Sequence, residues 1–502
     1  MPDKETLQRA GDYILEGPLI AGSSGNNYNF NSLITELNIF QDIDSPYMSG
    51  SIFVTDTSGL YEQLPIFGQE RLLFTLRTPG ANNTVDFSDY HGAVFNVSSR
   101  NPSGNREHSY NINFTTLEGF RNLRTKISKS FKGSIAGMVV EIMKDEDMLG
   151  TPKAVMVDPT QNVRKYVSPN LRPFQIIQYL KEEAINEKGE PHYLFYENPD
   201  GFHFRSLDSL LGELRELSVE AVQEYKLQPP MGTRSIGDNM QSIQGIKLLD
   251  STNTYSNTKA GMFGSTLYQH DILNKSISKY VFDYNTAFNT QNATNQETGE
   301  FGPMASDIKV DGKKKIWEFP DSRIFVHPSA STDLHHEGSS TEPEYVYTHN
   351  NAELWMQESI SRELEREYFT IQLDLFGDTD IMVGQIIHLT IPSNRGLGKD
   401  ESSEALDPIL SGRYLITQLR HKIDINAGTH VMVVTAMKDS VIKQTEALKL
   451  FNFPEPPQIP SMKIRINIEN PAAFAAVMPR GAFSTANTFS GFRSSPRVPA
   501  IY

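Results

Sequence analysis

The 502-residue chain contains no cysteine. That absence excludes a disulfide framework, thiolate metal sites and a cysteine nucleophile together. Cationic charge is in deficit, with 46 Lys and Arg against 61 Asp and Glu and a net charge of −15. A surface of that sign repels nucleic acid and anionic lipid, so DNA near the protein is expected to pass by ungripped. Long apolar runs are missing too: no stretch reaches the roughly 18 apolar residues of a membrane span. The opening "MPDKETLQRAGDYILEG" carries acids where an export signal needs a basic and then an apolar run. No signal is therefore expected, nor a direct membrane anchor, and synthesis and assembly are expected in a cytoplasm.

What is present suits a folded protein with a polar surface: 38% hydrophobic, 10% aromatic and 21% charged residues. The length exceeds one ordinary core, so several domains are expected. Residues 1–28 read as a flexible N-terminal extension ending in "AGSSGNNYN". Over 29–117 the period is two, in "LITELNIF", "SGSIFVTD", "ERLLFTLRT", "GAVFNVSSR" and "HSYNINFTTLE", which predicts a first antiparallel β-barrel. Residues 118–215 predict a small α+β domain. Its parts are a helix in "SIAGMVVEIMKDEDML", a second capped by Ser168 or Asn170, and a hairpin in "HYLFYENPDGFHFRSL". Strand patterns over 216–249 and 350–445 predict a second barrel, interrupted by a polar insertion at 250–349. Residues 446–502 read as a C-terminal arm. From 452 it carries Lys463, Arg465, Arg480, Arg493 and Arg497 against Glu455 and Glu469, basic on an acidic body.

The two barrels share a phrase. "GAVFNVSSR" at Gly92–Arg100 and "GRYLITQLR" at Gly412–Arg420 both run from Gly to Arg in alternation. Each follows a Gly-Gln strand ("GQERLLFTL", "GQIIHLTI") and precedes a His-led one ("HSYNINFTT", "HVMVVTAMK"). Four landmarks in one order predict an internal duplication.

These strands, with "TTLEGFRNLRTKISKSF" and "LRPFQIIQYLKEEAI", resemble the central baseplate hub of T-even-type contractile-tailed phages and, more distantly, the hub part of type VI secretion spikes. The resemblance covers about 30–250 and 350–445. It implies an α+β, mainly antiparallel fold with two tube-like β-barrels. It also implies a homotrimer that adapts a trimeric central spike to a hexameric tail tube, with baseplate wedge proteins around it and DNA only in passage. The implied location is the virion tail. The alternatives are a receptor- or carbohydrate-binding tail protein and a polysaccharide-degrading enzyme.

Candidate chemistry is sparse. Asp333, His335, His336 and Glu337 mix metal-ligand types, but adjacent histidines diverge and no His-Glu-x-x-His spacing occurs, so the loop reads as solvated. Asp311 and Gly312 in "VDGKKKIW" lack the alternating acids of a calcium loop. "GLGKDE" lacks the rest of a phosphate loop, and "AGSSGNN" is not a nucleophile elbow. The acids of "EREYF" and "DEDML" are expected on exposed helix faces, solvated, and not as a glycosidase pair. No catalytic, cofactor-binding or metal residue is assigned, and no enzyme is expected.

Overall fold

Among the described residues, alternating apolar positions in the first part of the chain build eight strands in a computed structural model. They are β1 (Ile14–Ala21), β2 (Asn27–Asn29), β3 (Ile34–Asp42), β4 (Ser49–Asp56), β5 (Arg71–Arg77), β6 (Val85–Asp86), β7 (Gly92–Pro102) and β8 (His108–Thr116). The structure describes residues 6–21, 27–59, 66–102, 107–161, 163–216, 222–227, 235–251, 253–271, 275–295, 301–303, 309–310, 312–329, 352–393 and 406–442. In β4 the alternation is literal: Gly50, Ile52 and Val54 face inward between half-buried neighbours. The core they enter also holds Leu37, Ile39, Phe74, Phe87, Ile112 and Phe114. Residues 14–21, expected in a flexible extension, are a strand paired with β5.

The middle of the chain switches to helical period. It forms α1 (Leu117–Arg124), β9 (Ser130–Gly133), α2 (Ile135–Lys144), β10 (Val155–Val157), β11 (Arg164–Val167), α3 (Pro173–Glu182), β12 (Tyr193–Asn198), β13 (Gly201–Ser206) and α4 (Leu207–Glu216). Ser134 caps α2 by accepting from the Gly137 amide at 3.1 Å. The expected cap of α3 is wrong. Arg172 occupies that place, Pro173 fixes the first turn, and Ser168 instead donates to the Ile127 carbonyl. Gly201 closes the β12–β13 hairpin at φ +134, where a Cβ would lie 2.4 Å from the Ala154 carbonyl oxygen.

The rest comprises β14 (Gln223–Lys226), α5 (Ile236–Met240), β15 (Gly245–Ser251), α6 (Thr254–Ala260), β16 (Gly264–Asp271), β17 (Ser276–Asp283), α7 (Tyr284–Phe288), β18 (Phe301–Pro303), β19 (Ile324–Ser329), α8 (Ala352–Tyr368), β20 (Phe369–Phe376), β21 (Ile386–Thr390), β22 (Gly412–Asp424), β23 (Thr429–Met437) and β24 (Ser440–Ile442). The polar insertion thus holds its own sheet, β17-β16-β19.

The fold is α+β and mainly antiparallel, and it repeats. In the first half the strands lie in the order β3-β4-β8-β7-β5-β1; in the second, β15-β20-β23-β22-β21-β14. Taken in chain order, these are the same six positions. One backbone bond marks the same corner twice: Val94 N donates to Glu70 O and Ile416 N to Gln385 O, each at 2.9 Å. A bulge follows each time, between Val94 and Asn96 and between Ile416 and Gln418. This frame sets Gly92 against Tyr414, so the Gly-to-Arg phrases fall in equivalent strands two residues out of step. The outermost pairing differs, since β1 runs antiparallel to β5 and β14 parallel to β21.

The expected closure into two barrels is corrected by the topology. Among the described residues no ladder joins β1 to β3 or β14 to β15, so both sets stay open. They merge into one 14-stranded sheet because the far part of β22 pairs with β3, from Gln418↔Asp42 to Asp424↔Glu36.

Candidate functional site

Helix α8 turns a polar stripe inward. Gln357, Ser361 and Glu365 recur every four residues, Arg362 and Arg366 lie beside them, and all five are buried. Ser361 donates to the Met262 carbonyl at 2.6 Å and Gln357 to that of Ser265 at 3.0 Å, pinning the helix to the start of β16. This corrects the sequence expectation for "EREYF", since Glu365 is 1% exposed. The acids of "DEDML" lie in a turn past the end of α2 and not on a helix face: Glu146 and Asp147 are exposed and Asp145 half-buried, while Met148 and Leu149 are buried.

Arg362 is the centre of the stripe. It donates to Asp208 at the start of α4, to the Asn292 carbonyl at 2.6 Å and to Glu365 at 2.8 Å, and it lies 3.7 Å from Asp439. Burial alone would lower its pKa, but Asp208, Glu365 and Asp439 hold it well above its ordinary value. Tyr284 of α7 donates to Glu365 at 2.6 Å, and Thr294 binds Asp439 through its amide and hydroxyl. One turn on, Arg366 reaches Asp44 beyond β3 and Glu363 on its own helix. A single helix therefore ties together the first half, the middle region, the insertion and the end of the second half.

Two further polar clusters sit at seams. Lys153 lies between Glu118 and Glu197, at 3.0 and 2.5 Å. Glu197 also accepts from the Met48 amide and the Thr116 hydroxyl, each at 2.8 Å, which fastens β12 to the first half. Burial alone would lower the lysine's pKa; the two carboxylates raise it. At the β22–β3 junction, Gln41, His421 and His430 form a buried chain, with ring nitrogens 3.0 Å apart and Gln41 3.3 Å from His421. Burial drives His421 down to about 4 and His430 well below its ordinary value.

Apart from the half-exposed Asp44 and Glu363, these groups are buried and paired with one another, an arrangement suited to joining elements. Among the described residues no group of three or more His, Asp or Glu side chains could hold a metal ion. Asp311, Asp333, His335, His336 and Glu337 lie outside the described residues, as do "GLGKDE" and the C-terminal arm. Among the described residues no helix is long and apolar enough to cross a membrane.

No protein-family model matches the chain, and no curated protein does. Solved structures do. A tail protein from Neisseria meningitidis is 12% identical with a TM-score of 0.47, over 85% of this chain and 97% of that one. The 43 kDa tail protein of prophage MuSo2 from Shewanella oneidensis is 11% identical at 0.44, over 86% and 98%. An Escherichia coli component of the type VI secretion system is 9% identical at 0.39, over 85% and 76%.

Proposed function

We propose that the chain is a structural, non-enzymatic hub of a contractile phage tail, located in the virion baseplate. Three copies close a ring that presents six similar sheet modules to a hexameric tail tube and a threefold face to a trimeric spike. Wedge proteins surround it and DNA passes through without being held. The modules are 29–117 with β1 (14–21) added, and 216–249 with 350–445; 118–215 lies between them, 250–349 is the insertion and 446–502 the arm.

The observation that carries this reading is the repeat together with its unfinished edges. Within the chain, the second half joins the first by pairing β22 with β3. The repeat makes β7 the counterpart of β22, and β15 that of β3. Among the described residues β15 pairs only with β20, and β7 meets β5 only through Gly92 and Ala93. Leu248 and Leu249 stand 48% and 40% exposed on β15, and Phe95 49% exposed on β7. Edges of this kind invite another strand, and the same junction used head to tail closes a ring when the rotation allows it. Carrying the β3–β22 register across places Ile246 of one copy opposite Pro102 of the next, and Lys247 opposite Asn101.

Native mass spectrometry of the full chain co-expressed with its spike should give three hubs per complex. Monomers or hexamers in the assembled particle would sink the proposal.

A further inference from the structure

Arg362 is outnumbered. Asp208 from α4, Glu365 from α8 and Asp439 after β23 converge on it, and none of the four side chains is more than 2% exposed. Three carboxylates against one guanidinium leave excess negative charge in a dry interior, and such charge is relieved by taking up a proton. The Oδ2 atoms of Asp208 and Asp439 are buried without a hydrogen-bond partner, as is Nε of Arg362, so the guanidinium leaves part of the carboxylate charge unmet.

We propose that this cluster is a proton-linked latch, which carries one bound proton while α8 is seated and loosens its hold on α4 and α7 when that proton leaves. Glu365 is the proton's seat. Burial pushes its carboxyl up to about 7 against the pull of Arg362, with Asp439 adding to the rise and the Tyr284 hydroxyl opposing it. Glu358, on α8 beside Asp208 and Arg362, is raised by burial as well. Lys438 lies next to Asp439 but donates to the Ile409 and Ser411 carbonyls, so it supplies the cluster with no hydrogen bond.

The sign follows from linkage. A freed glutamate returns to its ordinary value of 4.5, so only the seated form holds the proton between that pH and about 7. The latch is at full strength below this window. Within it the seated-to-open ratio falls about tenfold per pH unit, and above about 7 it levels off. The inference rests on packing within one chain and stands apart from the ring.

The test is hydrogen–deuterium exchange on the full-length protein at pH 5, 6, 7 and 8, corrected for intrinsic rates and read on α7 and α8. Glu365→Gln holds a neutral group there at every pH, so comparison with it cancels other titrations. The wild-type protection relative to Glu365→Gln should fall about fortyfold between pH 5 and 7 and by less than about twofold from 7 to 8. A constant ratio overturns the latch. If Glu365→Gln does not fold, Asp439→Asn serves instead: it removes a carboxylate that raises Glu365, so the fall should move to lower pH, and an unmoved midpoint overturns the proposal.

Discussion

Arg366 on α8 grips Asp44 through two parallel bonds, Nη1 to Oδ2 at 2.9 Å and Nη2 to Oδ1 at 3.0 Å. The partners differ in surroundings: the arginine side chain is 4% exposed and the aspartate 48%. Asp44→Ala leaves a buried guanidinium with Glu363 as its remaining carboxylate, while Arg366→Met leaves an aspartate that turns to water. The aspartate change should therefore cost more, about 2–3 kcal/mol against about 1, in urea denaturation. The reverse order would contradict the assignment.

Gly377 is a steric requirement of the histidine chain. A Cβ there would sit 2.0 Å from the His430 ring, and the ring is fully buried with nowhere to retreat. Gly377→Ala should destabilise the fold by about 3 kcal/mol and lower its yield. A neutral effect in a melting experiment would show that β23 can shift.

His421 and His430 are held neutral by burial, His421 down to about 4. Their folded-state values lie below the ordinary 6.5, so their contribution is present above 6.5 and lost as pH falls toward 4. Each histidine should cost about 1.4 kcal/mol per pH unit through that range. The melting temperature of Glu365→Gln, freed of the opposing glutamate proton, should drop between pH 6.5 and 4.5. A flat profile would place those rings in contact with water.

Leu248→Asp on β15 should leave the monomer folded, because Leu248 is 48% exposed there, and abolish the proposed ring by setting a charge on its pairing edge. Light scattering would show the monomer mass and circular dichroism an unchanged strand signal. A trimer that survives the change would remove β15 from the interface.

The proposed arm carries a basic charge suited to an acidic neighbour. Truncation after Phe451 should leave a soluble hub that binds its spike but enters baseplates poorly, measured by hub content of purified particles. Normal incorporation would deny the arm a partner.

Much of the sheet was legible because alternation is a local property. "SGSIFVTD" coincides with β4, and "HSYNINFTT" with β8. The duplication was legible in order but not in frame. Spacing of glycines cannot reveal where a bulge adds a residue, and the bulges at Phe95 and Thr417 are what align the halves. The α8 cluster was illegible. Charges three and four residues apart on a helix usually mark a wet face, and "EREYF" gives no local sign to the contrary. Its partners Asp44 and Asp208 lie 322 and 154 residues away in sequence, so burial was decided by topology. Open edges also escape a sequence reading, since a strand's pattern says which face is buried and nothing about what lies beside it.

The junction of β22 with β3 has a mechanical consequence. A linker between the halves would let each swivel, as modules joined by a few residues ordinarily do. Here the halves share a ladder of seven paired residues, so a hinge at that line would require tearing consecutive backbone bonds in concert. A load applied to one half is delivered to the other as shear along strands. Among the described residues the two halves are thereby coupled as one continuous sheet.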